Sequence, residues 1–137
     1  MTTTSSTPRV SESEKLTINL GYIDLGQIDL LVSEGFYANR SDFIRTAIRN
    51  HLGSHGDVLR QVVARKMLVL GLQHFSVADL TRVQAAGEKL QIKVLGLASI
   101  APDVPAELAA DTIESITVLG ALHASPAVRA ALAGRIT

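Results

Sequence analysis

The chain has no cysteine and no tryptophan. Without cysteine, neither a disulfide framework nor a zinc ribbon can be built. Aromatics are scarce, with two tyrosines and three phenylalanines, so aliphatic residues and alanine must fill the core. Net charge is absent too: 13 basic side chains balance 13 acidic ones. A chain that binds polyanions through bulk charge is therefore excluded. No apolar run approaches the roughly 18 residues of a membrane span, so no membrane partner is expected. The N-terminus, MTTTSSTPRVSESE, lacks the apolar centre of a secretion signal. It is rich in Ser and Thr, and residues 1–14 are expected to be a disordered arm with Arg9 as its cation.

What is present falls into two patterns. The first is Lys15 to Leu52. It opens with Lys15-Leu16-Thr17-Ile18-Asn19-Leu20. A strand there puts Leu16, Ile18 and Leu20 on one face and Lys15, Thr17 and Asn19 on the other. Two helical patterns follow. In the first, Asp24 is the expected N-cap, and Leu25, Ile28, Leu31 and Val32 make the apolar stripe. Gly35 falls where a left-handed C-cap is needed. In the second, Ser41 is the expected N-cap, with Ile44, Ala47, Ile48 and Leu52 as its buried stripe. Gly53-Ser54-His55-Gly56 reads as a hinge.

A lone strand before two helices has no ladder partner in its own chain, and a second copy is the obvious source of one. An antiparallel two-stranded ribbon made that way fits the DNA major groove. The ordered set K-L-T-I-N-L, then Ile28, Leu31 and Val32, then G-F-Y-A-N-R-S-D-F-I-R-T-A-I-R-N, resembles the ribbon-helix-helix domain of Arc/MetJ/CopG-type transcriptional regulators. The resemblance covers residues 15–52. It implies a homodimer on double-stranded DNA, with Lys15, Thr17 and Asn19 contacting bases. The side chains suit this, since Lys donates to guanine, Asn pairs with adenine, and Thr reaches a base edge or the thymine methyl. Asn39, Arg40, Ser41 and Arg45 are the expected phosphate contacts, at the N-terminus of the second helix. Leu16, Ile18, Leu20, Ile28, Leu31, Ile44 and Ile48 are the expected dimer core. Arg45 and Arg49, one turn apart, could equally bind phosphate or pair with Glu34 and Asp29. Asp42 would repel a phosphate and is expected to serve only the helix.

The second pattern is a repeat. Met67-Leu68-Val69-Leu70-Gly71, Ile92-Lys93-Val94-Leu95-Gly96 and Ile116-Thr117-Val118-Leu119-Gly120 each carry Val-Leu-Gly. Beyond the motif, Pro102 matches Pro126, Val104 matches Val128, Ala106 matches Ala130 and Leu108 matches Leu132. Such a period suits a strand-plus-helix unit. Three parallel strands are expected, joined by right-handed crossovers, with helices near 77–88, 105–111 and 126–133. A compact α/β domain with chance similarity between units is the alternative. A sheet this small leaves two open edges and a poorly covered face, both suited to subunit contact. The Ala-rich end, Ala121 to Ala133, could dock closely against a partner, and ligand sensing is a further option.

The expected fold is thus α+β: a ribbon-helix-helix unit, whose strand joins an intermolecular ribbon, followed by a small α/β module of three strand–helix repeats. The expected division is 1–14 arm, 15–56 DNA-binding and dimerisation domain, and 57–137 oligomerisation or regulatory module. No catalytic constellation is present, no cofactor is implied, and Ser76 and Ser125-Pro126 read as helix starts. His51 and His55 have helical metal-pair spacing, but two glycines end the helix there, and no metal site is expected. The expected function is sequence-specific transcriptional regulation, as a repressor, in a bacterial or archaeal cytoplasm at the nucleoid. A higher homo-oligomer through 57–137 would join dimers on adjacent half-sites. Two alternatives stand beside it. One is an antitoxin or plasmid-partition protein whose C-terminal module grips a partner. The other is a structural oligomer.

Overall fold

The computed structural model describes residues 13–137. The arm expected at 1–14, with Arg9, lies outside them but for its last two residues. Two compact units are present, Ser13–Val62 and Val63–Thr137. Among the described residues, no helix is long and apolar enough to cross a membrane.

The first unit holds helices α1 (Tyr22–Ser33) and α2 (Arg40–Ser54). α1 starts two residues before the expected Asp24 cap. Gly21 takes the cap position with no side-chain bond, and Asp24 sits in the first turn, where its charge suits the helix dipole. The helix closes as expected at Gly35, whose φ is 88°. Phe36 N–H donates to Leu31 O at 3.0 Å and Gly35 N–H to Val32 O at 3.1 Å, the paired bonds of a Schellman closure. Ile28 is the one buried residue of α1.

α2 is capped by Asn39, not by Ser41. The Asn39 side chain accepts from Asp42 N–H at 2.8 Å, and the Asp42 carboxylate accepts from Ala38 N–H at 2.9 Å. The sequence offers Asn39 and Ser41 as competing caps. Asp42, three residues after Asn39, decides between them: its N–H donates to the Asn39 side chain and its carboxylate accepts from Ala38, the residue before the cap. Tyr37 and Phe43 meet edge to face at the corner, with ring centroids 5.0 Å apart.

α3 (Gly56–Lys66) follows almost at once after His55. It has no counterpart among the sequence-based expectations, although Val58, Leu59, Val62 and Val63 recur at helical spacing. Leu68 N–H donates to Val63 O and Met67 N–H to Ala64 O, so α3 ends in another Schellman closure. Here the left-handed position is held by Met67, at φ 55°.

The second unit runs β1 (Val69–Phe75), α4 (Val77–Ala85), β2 (Leu90–Ile100), α5 (Ala106–Thr112), β3 (Ile113–His123) and α6 (Pro126–Ala131). The strands form one parallel sheet in the order β1-β2-β3. The three motifs stand in register: Val69 opposite Val94 opposite Val118, Leu70 opposite Leu95 opposite Leu119, Gly71 opposite Gly96 opposite Gly120. Ser76 makes a capping box with Asp79 and starts α4, and Ser125 caps α6 with Pro126 at its first turn. α4 ends three residues short of the expected 88, because Gly87, at φ 70°, turns the chain out of the helix. The repeat holds better in the strands than in the helices. Pro126 lies in the first turn of α6, whereas its counterpart Pro102 lies in a turn before α5.

The core lies between the helices and one sheet face. Leu80, Ile92, Val94, Ala98, Ile100, Ala109, Ile113, Ile116, Val128 and Leu132 form it. On β2 the even-numbered residues point into that cluster, which leaves Leu95 and Leu97 on the other face. Leu70, Leu72 and Leu119 on the outer strands are exposed.

Candidate nucleic-acid interface

Lys15, Thr17 and Asn19 are exposed, as their proposed role requires. So are Leu16, Ile18 and Leu20, at 79, 60 and 40%. The stretch carries no regular secondary structure in the single chain. Among the described residues the only sheet is the parallel one of the second unit, so the antiparallel ribbon is not formed within one chain. The reason is topological: two helices follow the stretch, and no strand of Ser13–Val62 can pair with it.

The helices behind it are incompletely covered. Leu25, Leu31 and Val32 are half-buried, and Ile44 likewise. The rest of the expected stripe of α2 lies open, with Ala47 exposed and Ile48 and Leu52 exposed by 53 and 54%. Ile28 is the only buried apolar side chain of Ser13–Val62. A unit of this size needs far more buried apolar area to stand alone.

At the N-terminus of α2 the phosphate candidates differ in their availability. Arg40 is clamped to Asp29, with Nε to Oδ1 at 2.7 Å and Nη2 to Oδ2 at 2.8 Å. The hydrogen bond from Arg40 holds the Asp29 carboxyl below the ordinary carboxylate range, and the same bond raises Arg40. Asp29 therefore pairs with Arg40 rather than with Arg45 or Arg49. Those two are exposed, and neither forms an ion pair among the described residues. Two of the first four backbone N–H groups of α2 are already engaged. Asp42 N–H is taken by Asn39 and Phe43 N–H by the Asn39 carbonyl, which leaves the N–H groups of Arg40 and Ser41. The Asp42 carboxylate is held by Ala38 N–H.

His51 and His55 meet edge to face, with ring centroids 5.0 Å apart. Among the described residues no group of three or more His, Cys, Asp or Glu side chains could hold a metal ion.

An exposed Lys15-x-Thr17-x-Asn19 row, two helices joined by a Gly-closed corner and an α/β unit after them agree with the ribbon-helix-helix class of transcriptional regulator. The chain matches the model of the ribbon-helix-helix transcriptional regulator family over residues 11–129, and it belongs to that family. Proteins of this family are typically not enzymes. No curated protein and no solved structure matches the chain.

Proposed function

We propose that two copies pair their Lys15–Leu20 stretches as an antiparallel ribbon that enters the DNA major groove. Lys15, Thr17 and Asn19 of each copy read base edges. Leu16, Ile18 and Leu20 turn inward and cover Ile28, Leu31, Ile44 and Ile48 of both copies. Each Leu or Ile so removed from water contributes roughly 1.5–3 kcal/mol before the cost of association is counted. Phosphates flanking the ribbon are held by Asn39, Ser41 and Arg45. Arg40 joins them through Nη1, the guanidinium nitrogen that the Asp29 pair leaves without a partner among the described residues.

One observation carries this reading: the apolar row beside the polar row has nothing to cover it among the described residues, and α1 and α2 leave Ile48 and Leu52 open as well. One missing partner accounts for both. The residues after Val62 join dimers on neighbouring half-sites. That supplies the affinity a chain of zero net charge does not draw from bulk electrostatics. Occupying DNA in this way blocks competing proteins, so the regulator is a repressor.

Selection of bound sequences from a random DNA pool with the full-length protein tests the reading. Enrichment of paired half-sites is expected, with the enrichment lost in an Ile18→Glu variant. A pool that stays unenriched would refute it.

A further inference from the structure

The first strand of the sheet is built as though another strand stood outside it. A Cβ on Gly96 would lie 3.1 Å from the Gly71 carbonyl carbon and closer still to its oxygen. A Cβ on Gly120 would meet the Gly96 carbonyl in the same way. Each glycine makes room for the glycine of the strand before it. Gly71 shares their conformation, with φ 132° against 139° and 122°, yet among the described residues nothing lies within 4 Å of the Cβ it lacks.

The edge beside Gly71 is also unprotected. Val69–Phe75 contains no Lys, Arg, Asp, Glu or Pro, the residues that usually blunt an open strand. Terminal units of repeat stacks normally carry a polar cap. Here Met67 and Val69 are exposed by 71 and 45%.

The opposite edge is half occupied. Ile116 N–H donates to Arg135 O at 2.9 Å, and Thr137 N–H donates to Ile116 O at 2.8 Å. The C-terminal residues thus take the rung at Ile116 and pair parallel to β3. From Val118 to His123 the edge has no strand partner among the described residues and holds no charged residue or proline of its own, although the Arg129 guanidinium donates to the Leu122 carbonyl near its end.

We propose that β1 of one copy adds in parallel to β3 of the next, with Val69 opposite Val118, Gly71 opposite Gly120 and His74 opposite His123. This register extends the rows already stacked within the chain: valine on valine, leucine on leucine, glycine on glycine. It gives Gly71 the glycine carbonyl that no described residue of its own chain supplies. It begins on β3 just beyond the rung held by the C-terminus. A symmetric β1-to-β1 contact would be antiparallel and would break those rows. The junction is head-to-tail, since each copy offers one edge of each kind. It specifies how the joining in the proposed function is made, and it stands whether or not the ribbon binds DNA.

The absence of cysteine makes the junction testable by cross-linking. In the full-length variant Leu70→Cys/Leu119→Cys, the two positions of one chain are two strands apart, about 10 Å. That is too far for a disulfide, which needs Cα atoms within about 7 Å. Across the junction they stand about 5 Å apart. Mild oxidation should give a ladder of covalent oligomers on a non-reducing gel, collapsed by reductant, while each single variant stays uncrosslinked. A second pair, Leu72→Cys/Ala121→Cys, should ladder in the same way. If both pairs fold with the wild-type circular dichroism and neither ladders, the proposal is overturned. A covalent dimer from Leu70→Cys alone would overturn it in favour of the symmetric contact. Sequence-selective DNA binding is measured on the same samples. Laddering without DNA binding would support the junction and sink only the ribbon reading, and binding without laddering would do the reverse.

Discussion

Substituting Gly96 by alanine should cost the second unit more than almost any other single methyl added to it. Two effects add. The residue sits at φ 139°, a region that only glycine enters freely, and holding another residue there costs about 1–3 kcal/mol. The new Cβ also meets the Gly71 backbone, at 3.1 Å from its carbonyl carbon. No rotamer change relieves a clash with backbone, so β1 and β2 must part locally. At least one ladder hydrogen bond is then lost, at about 1 kcal/mol or more. The sum is roughly 3 kcal/mol. For a unit of this size that lowers the melting temperature by about 12 °C or more. Gly71→Ala meets nothing within 4 Å among the described residues and has only the conformational cost. Urea or thermal unfolding of the full-length variants, followed by far-UV circular dichroism at low protein concentration, compares the two. Equal losses, or a Gly96→Ala variant within about 1 kcal/mol of wild type, would refute the account of the glycine row.

Asn19→Ala should weaken binding to a selected DNA site by about 1–3 kcal/mol and relax base preference at one position of each half-site, read by fluorescence anisotropy over a series of site variants. Met67 occupies a left-handed cap and is 71% exposed, so Met67→Gly should stabilise the chain by about 1 kcal/mol in the same unfolding assay. Arg40 depresses the Asp29 carboxyl in the folded state, so the pair supports folding above the unfolded carboxylate value of about 4. That support is lost as pH falls through the lower folded value. Asp29→Asn should remove this component of the acid-side loss, seen as a flatter dependence of melting temperature on pH.

Local signals made most of the second unit legible. Val-Leu-Gly recurs in each strand, and Ser76 and Ser125 announce the helices that follow. These are short-range features, written in residues that bond within a turn or stack on the next repeat. α3 escaped notice because its apolar residues lie between a glycine-rich break and a repeat motif, both stronger punctuation than its own stripe. The sequence points to Ser41 as the cap of α2, whereas Asn39 holds that place: Asn and Ser cap about equally well, and only the two bonds that Asp42 makes separate them. The Arg40–Asp29 clamp joins side chains eleven residues apart on two helices, whereas charge order alone points to Arg45 or Arg49 as the partner. Lys15–Leu20 is the opposite case. Its alternation is plain in the sequence, whereas one chain alone gives it no strand to pair with.

Amide hydrogen exchange across Lys15–Leu20 in the full-length protein, followed as concentration is raised through the dimerisation range, tests the central claim most directly. If a second copy completes the ribbon, these amides exchange freely in the dilute monomer and become protected at alternate positions as dimer forms. A dimer in which Lys15–Leu20 exchanges as fast as in the monomer would contradict the account.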